Sequence, residues 1–307
     1  MARRRRPAPT DSDDHASDDQ ASPGLHPAGR LVVVGTPIGN LSDMSPRGAD
    51  ALRGADLIAC EDTRRTGRLL ELLGIPAPRL IRMDAHTESD LRAAPWAAAG
   101  PRGPRLARRV AVASDAGMPG LSDPGARLIE ASVSAGVPVE VVPGPFAGVV
   151  AAVASGLLDP SGRFVFEGFL PRKGPERRAR LAAVASEQTP VVLYESPHRV
   201  LATVGDLATA CGSERRIALC RELTKMHEEV WRGTLEEAVR HAEHRVPRGE
   251  YVLVLEGASP PDPPSDEQLR AALGAELTAG ATRRDASIAV AERFGVPANR
   301  VKRLGLR

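Results

Sequence analysis

What the chain lacks narrows its chemistry. Among 307 residues there are three cysteines, Cys60, Cys211 and Cys220. An odd count with no Cys-x-x-Cys spacing argues against both a disulfide framework and a structural zinc site, so a reducing cytoplasm is the expected compartment. His86, His198, His227, His241 and His244 show no ligand grouping, so no metal is expected. No apolar run reaches the ~18 residues needed to span a bilayer. The opening MARRRRPAPT carries charge with no apolar core behind it, unlike a secretory signal. Neither G-x-G-x-x-G nor G-x-x-x-x-G-K-[ST] occurs, which removes the main sequence support for a nicotinamide cofactor or a P-loop nucleotide.

What is present is a pair of glycine- and proline-rich loops, each directly after a buried-looking aliphatic run. Gly35-Thr36-Pro37-Ile38-Gly39-Asn40 follows Leu31 to Val34. Ser114-Asp115-Ala116-Gly117-Met118-Pro119-Gly120 follows Val110 to Ala113 and leads into Ser122-Asp123-Pro124-Gly125. An apolar run that ends in such a loop and restarts as a helical pattern reads as a parallel strand delivering its loop to the carboxyl edge of a sheet, where open α/β folds bind ligands. Glycine permits close backbone approach and positive φ while proline fixes φ, so the pair makes rigid loops with inward-facing amides and carbonyls. A single such loop reads equally well as an ordinary strand-to-helix turn; two together favour a preformed small-molecule crevice.

With 42% apolar residues, the chain is long enough for two α/β domains with sizeable cores. Strands are expected at Leu31 to Val34, Ala55 to Ala59, near Ile81, at Val110 to Ala113 and at Val137 to Val142, with helices at Pro46 to Arg53, Arg64 to Leu73 and Pro124 to Ala135. That alternation implies right-handed βαβ units and a parallel sheet. After Pro143-Gly144-Pro145, a helix over Phe146 to Leu158 leads to strands at Phe164 to Glu167, Pro190 to Glu195, Ile217 to Cys220 and Tyr251 to Glu256. Helices lie near Glu176 to Ser186, His198 to Cys211 and Leu235 to His244. The expected organisation is a disordered tail over 1–29, α/β domains over 30–148 and 149–258 with a cofactor cleft between them, a linker over 259–265, and a small helical basic segment over 266–307. Its last two helices, Arg284 to Arg293 and Pro297 to Leu304, joined at Phe294-Gly295-Val296, have a weak helix-turn-helix outline.

The net charge of +2 is unevenly spread. Arg172, Lys173, Arg177, Arg178 and Arg180 form one basic stretch, and Arg283, Arg284, Arg293, Arg300, Lys302, Arg303 and Arg307 another. They read either as contacts to a phosphate backbone or as solvated helix faces.

The ordered series SDAGMPGLSDPG, GTPIGN, CEDTRRT, VPGPFA, FEGFLPRKG, YESPHR and RELTK resembles one group closely: the small-subunit ribosomal RNA methyltransferase I group of the tetrapyrrole methylase superfamily. The resemblance runs from Leu31 to Gly257. It implies a two-domain α/β homodimer, binding of S-adenosyl-L-methionine between the domains, and 2'-O-methylation of a cytidine in the decoding region of 16S rRNA, expected within the 30S subunit and away from any membrane. Three departures stand out. Met118-Pro119-Gly120-Leu121 replaces the usual Thr-Pro-Leu-Ile, the segment before Leu31 is an extension, and the end, Lys302 to Arg307, lacks an expected aromatic-bearing helix.

Methyl transfer from a sulfonium to a hydroxyl is an in-line displacement that needs alignment and removal of one proton. The backbone of Thr36, Pro37, Gly39 and Asn40, of Ser114, Asp115, Ala116, Gly117 and Pro119, and of Pro143, Gly144 and Ala147 is the natural cradle for the cofactor. Asp115 reads as an anchor for a ribose hydroxyl or amino group, or as a cap of its own turn. For the catalytic set, His86 and Glu88 read as a base and its partner or as the surface start of a helix. Glu195 is a strand-end group or a helix cap with Pro197 at N1. Arg221, Glu222 and Lys225 bind phosphate and orient the nucleotide, unless Glu222 and Lys225 pair internally. Glu61, Asp62 and Arg64 read as pocket wall or an acidic helix start. With 3% aromatic residues, base-stacking platforms are scarce, so RNA recognition should lean on phosphates and shape.

Overall fold

The structure, a computed structural model, describes residues 29–83, 109–246, 248–260 and 263–305. It divides into two compact units: Met1–Val150 together with Leu223–Met226, and Ala151–Glu222 together with His227–Arg307.

The first unit runs β1 (Arg30–Val34), α1 (Pro46–Arg53), β2 (Leu57–Cys60), α2 (Thr63–Leu72), β3 (Arg79–Arg82), β4 (Arg109–Ala113), α3 (Ala126–Ser134) and β5 (Val139–Val142). All pairings are parallel, in the order β3-β2-β4-β1-β5. The aliphatic runs of β1, β2 and β4 are continuous because both faces are covered. Val32, Val34, Ile58 and Ala111 pack with Leu52 of α1 and Leu70 of α2, while Leu31, Val33, Ala59 and Val112 pack with Leu128 of α3. Ser45 starts α1 by accepting a hydrogen bond from the Gly48 amide at 3.0 Å, with Pro46 in the first turn where its missing N–H does no harm.

Helix α4 (Ala147–Ser155) leads to β6 (Val165–Phe169), α5 (Gly174–Ser186), β7 (Val191–Glu195), α6 (Val200–Cys211), β8 (Arg216–Arg221), β9 (Glu229–Thr234), α7 (Leu235–Glu243) and β10 (Tyr251–Leu255). Here the order is β6-β7-β10-β8-β9, and only β6 with β7 is parallel. Strand β9 was not foreseen: its sequence, EVWRGT, mixes charge and glycine because it is a half-buried edge strand. Leu193, Leu219 and Leu253 meet Val184, Val204, Leu207, Leu235 and Ala238 beneath α5, α6 and α7. Helix α6 begins at Val200 rather than at His198, which leaves Pro197 outside the helix and corrects its expected place at N1.

Helices α8 (Asp266–Thr278), α9 (Arg283–Phe294) and α10 (Ala298–Leu304) close a small core of their own around Leu269, Leu273, Val290 and Val301. Gly295, at φ 62°, ends α9 in the left-handed conformation that glycine adopts without strain. Among the described residues no helix is long and apolar enough to cross a membrane.

Candidate active site

A parallel sheet sends every strand's carboxyl end to one edge. In the first unit the connections from β1 and β2 run toward the β3 side and the one from β4 runs toward β5, a reversal that opens a crevice at that edge. Three loops fill it and are tied to one another. Thr36 and Gly117 exchange backbone hydrogen bonds of 2.9 and 3.1 Å. The buried Thr36 hydroxyl donates to the Ser114 carbonyl at 3.2 Å, and the Ser114 hydroxyl donates to the Gly117 carbonyl at 3.2 Å. Gly35 donates to the Val142 carbonyl at 3.0 Å, and the Gly144 amide donates to Met118 Sδ at 3.3 Å.

The glycines are there for close approach. A Cβ on Gly35 would stand 2.5 Å from the Gly144 nitrogen, and one on Gly144 would stand 2.7 Å from Gly35 Cα. Both obstacles are backbone and cannot rotate away. Pro37 and Ala116 are half-buried, Pro119 is buried, Gly39, Asn40 and Pro143 are exposed, and Ala147 opens α4. The bulk that distinguishes Met118 is used within the loops, as the acceptor for Gly144.

A fourth segment, Leu223–Met226, belongs to this unit although it lies between β8 and β9 in the chain. Thr224 Oγ1 accepts the Asn40 amide at 3.1 Å, and a Cβ on Gly39 would meet Lys225 Cγ at 2.5 Å. Lys225 is thus brought to the first loop. Thr224 has φ 66°, an outlier for a β-branched residue, and holding such a conformation costs on the order of 1–3 kcal/mol. An open cleft of about 420 Å³, within the ~300–1,000 Å³ typical of small-molecule sites, is lined by Asp43, Pro143, Gly144, Pro145, Val150 and Thr224. Asp43 and Thr224 were missed from the sequence: their signals are backbone angle and long-range packing.

Asp115 braces two loops. Its Oδ1 accepts the Asp62 amide at 3.1 Å and its Oδ2 lies 3.4 Å from the Arg65 guanidinium. Burial pushes its carboxyl above the ordinary range, and the same cause acts on neighbouring Glu61, reinforced there by Asp115. Half-buried Asp62 caps α2, accepting the Arg64 amide at 2.8 Å, and the hydrogen bonds from Arg64 hold it down to about 2. The acidic-helix-start alternative therefore describes Asp62 and Arg64.

The remaining catalytic candidates are dispersed. His86 and Glu88 lie outside the described residues. Glu195 is 2% exposed; Oε1 accepts the Ser196 amide at 2.8 Å, while Oε2 accepts the Thr203 hydroxyl at 2.6 Å and lies 3.3 Å from Arg199. Its carboxylate caps no helix N-terminus; α6 starts five residues later. Arg221 pairs with Glu229 at 3.3 Å, and Glu222, at φ 52°, accepts the Glu250 amide at 2.9 Å through Oε1 and donates its own amide to the Glu250 carbonyl at 3.0 Å.

One basic stretch needs correction as a phosphate-binding row. Arg177 is 9% exposed and donates to Asp206, the Pro171 carbonyl and the Thr203 hydroxyl, so its guanidinium is consumed internally. Arg180 pairs with Glu167, and Arg300 with Asp266. Arg172, Lys173 and Arg178, and Arg283, Arg284, Lys302 and Arg303 in the helical segment, are exposed. Arg307 lies outside the described residues. Among the described residues no three His, Cys, Asp or Glu side chains gather as a metal site.

Comparison with known proteins decides the family. The family model for tetrapyrrole (corrin/porphyrin) methylases matches residues 30–239. The chain belongs to this family. This methylase is 43% identical over 282 residues to the ribosomal RNA small subunit methyltransferase I of Synechocystis, covering 91% of this chain and 98% of that one. To the protein of the same name from Mycobacterium bovis it is 46% identical over 234 residues, covering 76% and 79%. Among solved structures, the uroporphyrin-III C-methyltransferase of Thermus thermophilus complexed with S-adenyl homocysteine has the same fold, with a TM-score of 0.52 over 74% of this chain and 97% of that one at 19% identity. The methylase is an S-adenosylmethionine-dependent methyltransferase. Its loops fit that requirement: at Gly35 and Gly144 the two backbones come so close that a side chain on either would collide with the other.

Proposed function

We propose that this methyltransferase methylates the 2'-hydroxyl of a cytidine in the decoding region of 16S rRNA, acting on the 30S subunit in the cytoplasm as a homodimer. The observation that carries the substrate is the 43% identity across nine-tenths of the chain with a protein named as a small-subunit rRNA methyltransferase. The cytidine and its 2'-hydroxyl follow from the motif resemblance.

The residues that would hold S-adenosylmethionine are Thr36 to Asn40, Ser114 to Gly117 with Pro119, and Pro143 to Ala147, with Asp115 as the polar anchor. Once bound, S-adenosylmethionine supplies a methyl group on a positively charged sulfur. The loops contribute alignment, which is worth up to ~7–11 kcal/mol for well-oriented reactants. Thr224 is a positioning residue, since it lines the cleft and fixes the Asn40 amide. Lys225, whose stem packs against Gly39 of the first loop, is the residue proposed to hold a phosphate of the acceptor nucleotide. His86 and Glu88 remain the pair proposed to take the hydroxyl proton. Glu195, Arg221 and Glu222 act through the framework, because each is engaged in hydrogen bonds or ion pairs within the second unit. The exposed cations Arg172, Lys173, Arg178, Arg283, Arg284, Lys302 and Arg303 supply phosphate contacts.

The test is incubation with methyl-labelled S-adenosylmethionine and 30S particles from cells lacking this gene, followed by nuclease mapping. Label on the ribose of one small-subunit cytidine is expected. Label confined to a tetrapyrrole acceptor supplied in parallel overturns the reading.

A further inference from the structure

The second unit has a pocket that the methyl-transfer scheme does not use. It is a partly enclosed cavity of about 160 Å³, roughly five water volumes at ~30 Å³ each, with Leu201 and Leu219 on its apolar side and Tyr251, His198, His241 and Arg245 on its polar side. That is room for one ring, well below the size of the cleft in the first unit.

Tyr251 is 8% exposed, and its hydroxyl, which makes no hydrogen bond among the described residues, keeps contact with solvent at the cavity. A phenol hydroxyl so placed is available to a ligand that enters the cavity. Burial lifts its ionisation above the ordinary phenol range, so at neutral pH it keeps its proton and can donate. His241 stacks on Trp231 with ring centroids 4.7 Å apart and planes 23° from parallel. Burial, with Arg245 adding to it, holds that imidazole below its ordinary range, which leaves one ring nitrogen to donate and one to accept.

The charge in this wall is matched. Arg245 and Arg221 both pair with Glu229, whose carboxyl stays below its usual range because these partners outweigh the opposing effect of burial; Glu243 also lines the cavity. A small anion therefore gains little here. A neutral planar ring with a hydrogen-bonding edge gains the Tyr251 hydroxyl, the imidazole and the apolar side. One of the chain's two tryptophans and one of its two tyrosines are concentrated at this corner of an aromatic-poor protein.

We infer that this cavity is a nucleobase site sized for a single pyrimidine ring, used to capture an unstacked base of the RNA substrate. Sequence-selective binding of single-stranded RNA works through splayed bases held on aromatic or histidine faces and hydrogen-bonded at their edges. The RNA source of the base rests on the proposed function; the base-binding chemistry does not.

The experiment uses the full chain carrying Trp96→Phe, so that Trp231 is the sole indole. Titration with free cytidine should give a saturable change in Trp231 emission, and inorganic phosphate should give none. Tyr251→Phe should weaken cytidine binding about fivefold, the loss of one net hydrogen bond. It should leave the melting temperature and S-adenosylhomocysteine affinity unchanged. With RNA as substrate, Tyr251→Phe and the pocket-filling Leu201→Trp should raise KM for RNA while kcat stays the same. The inference is overturned if cytidine gives no saturable response, if phosphate binds in its place, or if Tyr251→Phe binds cytidine as the parent does. Should 30S particles go unmethylated while Tyr251-dependent cytidine binding persists, the rRNA reading fails and the base site stands. Normal methylation with cytidine binding and KM indifferent to both substitutions leaves the rRNA reading intact and removes the site.

Discussion

The two sheets have five strands each and handle polarity in opposite ways. At the carboxyl edge of the parallel sheet the polar groups are largely backbone, brought close together by glycines at 35 and 144 and cross-tied through Thr36, Ser114 and Gly117. In the mixed sheet much of the polarity is in side chains bonded within the protein, although the buried Arg221 Nε has no partner among the described residues. Glu195 accepts from Ser196 and Thr203 beside Arg199, Arg177 serves Asp206, Pro171 and Thr203, and Arg215 donates to the carbonyls of Glu256, Val184, Ala185 and Glu187. The loop amides that bond one another fix the shape of a cleft open to a ligand. A side-chain network already bonded within the protein contributes structure instead. Substitutions in the two regions should accordingly separate binding from stability.

The largest effect is expected from Glu195→Ala. Removing one partner of a buried ion pair leaves Arg199 and Thr203 uncompensated, a loss of ~3–5 kcal/mol in urea unfolding. The folded fraction should still bind S-adenosylhomocysteine with parental affinity; reduced affinity in that fraction would erase the contrast. Next comes Gly144→Ala, whose Cβ meets Gly35 backbone at 2.7 Å. Calorimetry should show cofactor affinity falling at least ~100-fold, equivalent to ~2.7 kcal/mol.

Asp115→Asn sharpens the comparison through pH. The raised carboxyl of Asp115 keeps its proton in the folded chain at pH values where the unfolded chain has released it, so stability declines as pH rises from the ordinary carboxylate value through the raised one and is flat above. The variant should show a shallower decline across that window and no loss of stability at neutral pH, together with about tenfold weaker cofactor binding. A variant less stable at neutral pH would make Asp115 a purely structural brace. The smallest effect separates two adjacent arginines. Arg178→Glu should reduce the slope of log K for RNA against log salt by about one unit with no change in melting temperature, whereas Arg177→Lys, which keeps the charge but loses hydrogen bonds to Asp206, Pro171 and Thr203, should lower the melting temperature and leave the slope unchanged.

How much of this was legible depends on how local the cause is. The parallel sheet could be read because its three inner strands, β1, β2 and β4, are short aliphatic runs buried on both faces, and the first two loops because glycine and proline punctuate the ends of β1 and β4. The mixed sheet was harder: β9 is half-buried at every position but Arg232 and shows no alternation, so Glu229–Thr234 resembles a loop. Arg177 read as surface because burial of a guanidinium depends on Asp206 and Thr203, close to 30 residues away. Thr224 was invisible for a different reason. Its role comes from a positive φ and a contact to Asn40 across 184 residues, neither of which composition encodes.

The central claim is that the cofactor is held by the backbone edge of the parallel sheet and by the segment that folds onto it. Amide hydrogen exchange with and without S-adenosylhomocysteine tests it most directly. Protection confined to residues 35–40, 114–120, 143–147 and 223–226, with no change in the amides of β7, β8 and β10, is the predicted result. Protection centred on the second sheet, with the glycine loops unchanged, would contradict it.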